Sequence, residues 1–320
     1  MVSRRAMWML SIASALCAVL AAAAHAAAPM VKTQAPGYYR IMLGDFEVTA
    51  ISDGTAALPV DTMLTNTTPG KVRRALARAH LKPPVETSVN AFLINTGSKL
   101  LLVDAGAGAL FGPTVGKLMA NLKASGYQPE QVDEIFITHL HPDHVGGLFV
   151  DGKIAFPNAT VHADKRDADF WLSQANMDSA PKDMKDFFQG AMQSINPYIA
   201  AGKFETFDHD GTLTPGLKAV LAHGHTPGHT TYLVESKGQA LSLWGDLIHV
   251  AAVQFEHPSV TIQFDSDPKA AAAARKKAAT DAAKNAYLVG AAHIAFPGLG
   301  YVRRSGLDYA WVPVNYGPVN

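Results

Sequence analysis

Three imidazoles and one carboxylate fall within six residues at His139-Leu140-His141-Pro142-Asp143-His144. The cluster follows Glu134–Thr138, a short apolar stretch that reads as a strand. Where a strand runs into a tight turn, side chains at i and i+2 point the same way, so His139 and His141 can aim at one ion. Asp143 and His144 then open the next helix and face a second ion. Imidazole together with carboxylate suits zinc and similar divalent cations. The bounds of the cluster, Ile135–Ile137 on one side and Gly146-Gly147 on the other, argue against a histidine tag or storage tract.

A cluster of this kind needs rigid elements to hold it. Ile41–Leu43 and Phe46–Ile51 read as strands around the Gly44-Asp45 turn pair, and Ser88–Asn95 and Lys99–Val103 as a hairpin around Thr96-Gly97-Ser98. Pro113–Ser125 has helical spacing at Val115, Leu118, Met119 and Leu122. Asp164–Gln174 and Met184–Ala200 also read as helices. Leu217–Ala222, Thr230–Glu235 and Gln239–Trp244 read as strands, and Tyr287–Ala292 as a last buried one before His293. Pro268–Ala286 is an Ala/Lys-rich helix with Pro near its first turn, its charges a solvated face. Strands, helices, strands and a helix in that order imply two sheets covered by helices on the outside.

The bulk numbers narrow the class. The chain has 320 residues, 48% apolar and 17% charged, which suits a filled globular core and not a disordered chain. Lys and Arg equal Asp and Glu at 27 each, so no electrostatic footprint for nucleic acid or an acidic membrane surface is present. Residues 1–26 read as a signal peptide: Arg4 and Arg5 first, an apolar run from Met7 to Ala24, then Ala24-His25-Ala26 as a cleavage site. Cleavage would leave residues 27–320 as one domain in the periplasm or outside the cell, with no membrane anchor; Arg4-Arg5 does not decide between the two export routes. It would also remove Cys17, the only cysteine, so a metal site must be built from imidazole and carboxylate.

His139-Leu140-His141-Pro142-Asp143-His144 resembles the H-x-H-x-D-H signature of the metallo-β-lactamase superfamily, and other motifs of that family follow in order. Asp104 in Val103-Asp104-Ala105-Gly106 resembles the strand-end aspartate that supports the site from behind, although a turn-capping role also fits it. Gly224-His225-Thr226-Pro227-Gly228-His229 resembles the segment of the third histidine, Gly245-Asp246 the shared aspartate and Ala292-His293 the last histidine. The resemblance implies an α/β (α+β) fold, an αββα sandwich of two mixed β-sheets flanked by helices. It implies two divalent ions, zinc first and manganese, cobalt or iron as alternatives. His139, His141 and His225 would hold one ion and Asp143, His144 and His293 the other, with Asp246 shared. Of His223, His225 and His229, the family pattern selects His225; His229 is then a supporting residue behind the ligands and His223 structural.

Two such ions can share an activated water and polarise a carbonyl or phosphoryl oxygen, so the implied reaction is hydrolysis of an ester, lactone, amide or phosphoester. Asp143 would orient the nucleophile and carry a proton. Ala35-Pro36-Gly37-Tyr38-Tyr39-Arg40, Leu110-Phe111-Gly112-Pro113-Thr114, Asp169-Phe170-Trp171-Leu172-Ser173-Gln174 and Ala251-Ala252-Val253-Gln254-Phe255 resemble the methyl parathion hydrolase branch, close to lactonases and arylesterases. Phe111, Trp171 and Phe187 match aromatics at that branch's pocket mouth. His249, Ile262, Phe264, Met63 and a shorter 181–187 loop depart from the organophosphate pattern. His249 beside the ions, with the bulk of Ile262 and Phe264, favours a small-molecule aryl ester or lactone over an organophosphate triester, with a β-lactam third. A homodimer is an expectation by family analogy alone. A diiron oxidoreductase would carry a carboxylate in the metal set where His141 stands, and a metal-free binding module would not keep all seven ligand positions.

Overall fold

The computed structural model describes residues 28–319, so the expected signal peptide and its cleavage site lie outside the described residues. Residues 28–35 are exposed and have no regular secondary structure. From Pro36 onward the chain forms a single unit.

The first sheet has seven strands side by side in chain order: β1 (Tyr38–Leu43), β2 (Phe46–Leu58), β3 (Val85–Asn95), β4 (Leu100–Val103), β5 (Glu134–Phe136), β6 (Thr160–Asp164) and β7 (Phe204–Phe207). Its first four strands are antiparallel and β4 to β7 run parallel. The second sheet repeats the plan with β8 (Gly211–Thr214), β9 (Leu217–Leu221), β10 (Thr230–Ser236), β11 (Gln239–Leu243), β12 (Leu288–Gly290), β13 (Leu299–Ser305) and β14 (Asp308–Pro313). Here only β11 and β12 pair in parallel. The main helices are α1 (Pro69–Arg78), α2 (Leu118–Ala124), α3 (Pro142–Val145), α4 (Lys165–Trp171), α5 (Gln174–Ser179), α6 (Lys185–Ala200) and α7 (Pro268–Asn285). None of the helices among the described residues is long and apolar enough to cross a membrane.

Side-chain alternation sets the layers. In β4, Leu100 and Leu102 face the helices while Leu101 and Val103 face the second sheet. Strand β3 divides in the same way, with Ala91 and Leu93 on the helix side and Phe92 and Ile94 between the sheets. Strands covered on both faces read as unbroken apolar runs, which is why Leu100–Val103 shows no polar position. Leu217, Ala219, Tyr232, Val234, Leu241 and Leu243 fill the inter-sheet layer from the other side. Outside, Leu118 and Leu122 of α2 and Phe188 and Ile195 of α6 cover the first sheet; Ala279 and Ala282 of α7 cover the second against Trp244 and Val289. Each such large side chain contributes about 1.5–3 kcal/mol when fully buried. The result is the αββα sandwich that the resemblance implies.

Two helices differ from the sequence reading. The expected helix over 113–125 begins only at Leu118, because Asp53 captures the chain before it. Asp53 sits at an irregularity in the β2–β3 pairing, and its buried carboxylate accepts N–H bonds from Ala107 (2.9 Å), Gly116 (3.0 Å) and Leu118 (2.9 Å). The expected helix over 164–174 is two helices, since the Ser173 hydroxyl accepts the Asn176 N–H and starts α5 afresh. Strand β2 also runs on to Leu58, beyond the expected end at Ile51.

Replacing Asp53 tests this account of the 104–118 segment. Asp53→Ala strands three N–H groups at once and is expected to lower stability by about 3 kcal/mol. Urea unfolding followed by circular dichroism measures it, and an unchanged midpoint would refute the tether.

Candidate metal centre

Strand ends bring the donors together. His139 and His141 lie just past β5, Asp143 and His144 in α3, His225 in the turn before β10, Asp246 just past β11 and His293 just past β12. The His225 turn is held between helices. A Cβ at Gly224 would lie 2.2 Å from the Ala271 nitrogen of α7, so no side chain fits there. The His225 and Gly224 carbonyls accept N–H bonds from Ser266 (2.9 Å) and Asp267 (2.8 Å).

Asp246 is the centre of the arrangement. Its Oδ2 lies 3.2 Å from His225 Nε2 and 3.7 Å from His139 Nε2. Its Oδ1 lies 3.1 Å from both His144 Nε2 and His293 Nε2. Asp143 Oδ2 is 3.4 Å from His293 Nε2 and 3.7 Å from His144 Nε2. His141 Nδ1 comes within 3.2 Å of His225 Nε2. One donor atom each of His139, His141, His225 and Asp246 lies within 4.8 Å of the others, and the same holds for Asp143, His144 and His293. Asp246, His249 and His293 form a third such group.

The outward-facing nitrogens are fixed. His144 Nδ1 donates to Asp104 Oδ2 at 2.8 Å, His225 Nδ1 to Asp265 Oδ1 at 2.8 Å, and His293 Nδ1 to the Ser88 carbonyl at 2.8 Å. Each bond fixes Nδ1 as the outward nitrogen and turns Nε2 inward. Asp104 is itself held by the Thr138 N–H at 2.8 Å. His229 donates through Nδ1 to the Ala222 carbonyl (3.2 Å) and accepts the Asp246 N–H on Nε2 (3.0 Å), so it seats the aspartate from behind. His223 is half-buried beside Asp164, away from the cluster.

These donors suit a divalent metal. His139 Nε2, His144 Nε2 and Asp246 Oδ1 are buried and have no hydrogen-bond partner, a costly condition that a cation between them relieves. Charge follows the same geometry. Burial holds His139 and His141 well below the usual histidine range. Burial also works against charge on His225, but Asp246 and Asp265 outweigh it and push the ring up to about 9. In His144 burial is likewise outweighed, by Asp246, Asp104 and Asp143. The surrounding histidines hold Asp246 well below the carboxylate range in spite of its burial. His229, with burial and then His225 against it, falls to about 3 and stays neutral, as an acceptor must.

The cluster opens on a cavity of about 60 Å³ lined by Ala56, Leu58, Thr87, Val89, Phe111, His141, Asp143, Phe187, Asp246, His249, Phe264 and His293. A groove of about 870 Å³ between the Tyr39–Leu43 edge and residues 312–315 is larger, but it gathers no group of ionisable donors. Phe111, Phe187, His249 and Phe264 stand in the cavity wall. Trp171 and Ile262 do not. Trp171 is fully buried against Phe170 and Phe188 and meets His141 edge-on at 5.0 Å, backing the ligand; Ile262 is buried with Val60, Met63 and Leu64 behind the wall. His249 Nε2 lies 3.1 Å from Asp246 Oδ2, and its backbone N–H donates to Gln254. Sequence reasoning missed Asp265 and Gln254: each stands alone in the chain, and only the fold brings it to its partner.

A model of the metallo-β-lactamase superfamily matches residues 84–293. The chain belongs to the metallo-β-lactamase superfamily, a class of metal-dependent hydrolases. Among solved structures it is similar to AbOPH, a hydrolase of the β-lactamase superfamily, with TM-score 0.85 and 38% identity over 89% of this chain and 100% of that one. It is also similar to AidC, a dizinc quorum-quenching lactonase, with TM-score 0.81 and 27% identity over 88% of this chain and 99% of that one. An N-acyl homoserine lactonase of Bacillus cereus is 26% identical over 47% of this chain and 52% of its own length. The chain thus spans about half the length of that relative, and less of an N-acyl homoserine lactonase from a Bacillus species, at 38%.

Because Asp265 fixes the His225 ring, Asp265→Ala is expected to weaken metal retention 10–100-fold while the fold persists. Dialysis against graded chelator, followed by metal analysis, measures the loss; retention equal to wild type would show that the ring needs no such partner.

Proposed function

We propose that the protein hydrolyses a neutral, flat carboxylic ester or lactone, with an aryl ester or lactone as the favoured type, at a centre for two divalent ions. The observation behind this reading is the buried Asp246 carboxylate, which meets His139, His225 and His249 through Oδ2, His144 through Oδ1 and His293 through both oxygens. His139, His141 and His225 would hold one ion and Asp143, His144 and His293 the other, with Asp246 shared. The donor set and the dizinc relative favour zinc; manganese, cobalt and iron also accept these ligands. Bound there, such ions supply Lewis acidity, polarising the substrate oxygen and acidifying water.

The chain's own groups do the rest. Asp143 lines the cavity, is less buried than Asp246 and lies beside His293, so it can orient water and carry a proton to the departing oxygen. Phe111, Phe187 and Phe264 present apolar faces to a planar acyl or aryl group. The cavity wall holds no Lys or Arg, so a substrate carboxylate, as in a β-lactam, would find no ammonium or guanidinium to pair with. His249 adds a polar group beside Asp246 and narrows the space there, which favours a planar carbonyl over a bulky tetrahedral phosphotriester. Hydrolysis of an organophosphate triester is the second reading, since the apolar faces of Phe111, Phe187 and Phe264 also accept a neutral phosphotriester. The proposed setting is the periplasm or the cell exterior, on the signal-peptide reading of residues 1–26.

Purified protein is expected to contain about two divalent ions per chain and to lose hydrolysis on chelation. Its kcat/KM for dihydrocoumarin is expected to exceed that for methyl parathion, and the reverse order would make the phosphotriester reading primary. His249→Leu is expected to raise phosphotriester turnover at the expense of the lactone; a loss of both activities would defeat the steric argument.

A further inference from the structure

Asp167 is fully buried in the first turn of α4 and takes no direct part in the metal centre. Its two oxygens point to different loops. Oδ2 accepts the Leu140 N–H at 2.9 Å, and Leu140 lies between His139 and His141. Oδ1 accepts the Gly228 N–H at 2.5 Å, three residues beyond His225. The first loop leaves the first sheet after β5, and the second leads into β10 of the second sheet. One carboxylate therefore ties together the two loops that carry three imidazoles of one ion site.

The surroundings make this tie specific. The neighbouring Arg166 and His223 turn to Asp164 instead, lying 3.0 Å and 3.6 Å from its Oδ2. Asp167 is left to be stabilised by the two loop N–H groups and by the start of its helix. If either loop shifts away, a buried acceptor and a buried donor are both stranded. Nor can the loop retreat onto a side chain. A Cβ at Gly228 would lie 2.6 Å from the Asp167 nitrogen and 2.7 Å from Asp164 Oδ1, so the loop backbone rests directly on the helix start. The Thr230 N–H, donating to the Thr138 carbonyl at 2.9 Å, sews the same two loops together one step further along.

We infer that Asp167 is a positioning residue: it sets the separation between the His139–His141 loop and the His225 loop at which these rings can share one divalent ion. The inference rests on the two-ion reading above. Burial pushes the Asp167 carboxyl up to about 6 against the pull of the Leu140 N–H, the Thr226 hydroxyl and the Gly228 N–H, so the tie is strongest when the group is ionised.

Wild type, Asp167→Asn and Asp167→Ala, stripped by chelator, would be titrated with Co²⁺ and followed by visible absorption and bound-metal analysis, with circular dichroism as the check on folding. Asp167→Ala is expected to bind one of the two ions 10–100-fold more weakly, with an altered absorption band for that ion and the other nearly unchanged. Asp167→Asn keeps one acceptor and sets an NH₂ against the other N–H, so it should fall between. If the alanine variant does not fold, the asparagine variant decides alone. Wild type that binds no cobalt would sink the two-ion reading itself. Two-ion wild type with variants that bind identically would sink only the role of Asp167. Equal weakening of both ions, in step with a lower Tm, would mark Asp167 as general scaffolding and also overturn the inference.

Discussion

The structure depends on one buried carboxylate surrounded by imidazoles. Asp246 is almost wholly out of water, and a carboxylate in that position is costly unless positive charge or hydrogen-bond donors meet it. Here the meeting groups come from far apart in the chain: His139 and His144 after β5, His225 before β10, His293 after β12. None of these elements could relax without leaving Asp246 uncompensated. The metal centre and the joint between the two sheets are therefore the same piece of chemistry.

Such a centre requires loops with the rigidity of strands, and other buried carboxylates provide it. Asp53 gathers three N–H groups of the segment after Asp104. Asp104 binds Thr138 and the His144 ring, and Asp265 binds the His225 ring and the Ile262 N–H. Each replaces water as the partner of loop groups that no ladder satisfies. The sheets need no such devices, because their apolar alternation already determines the layers. These three buried carboxylates thus serve segments that lie outside the ladders and next to the site.

The same division explains the kind of substrate the site suits. Ionisable groups are spent on the floor of the cavity, and the walls are left to Ala56, Leu58, Val89, Phe111, Phe187 and Phe264. A wall of that kind recognises shape and apolar area and not charge. The similarity to AidC and AbOPH extends over nearly the whole of both chains.

The order of layers and the six-residue cluster were readable in the sequence, because both are local. The unbroken apolar run Leu100–Val103 and the spacing of His139, His141, Asp143 and His144 need only the geometry of a strand and a turn. The helix over 113–125 was misjudged because its first turn is claimed by Asp53, sixty residues earlier in the chain. Trp171 and Ile262 lie in the buried clusters behind the wall, a placement that period and residue type do not give. Asp265 and Asp167 were invisible for the same reason: a lone aspartate has no local pattern, and its value comes from the N–H group or ring that folding delivers to it. The sequence by itself determined which donors were available and which face of each strand was apolar. Only the tertiary structure decided which donors meet, because contacts across 27 to 61 residues, like those of Asp167, are set by packing and not by neighbours in the chain.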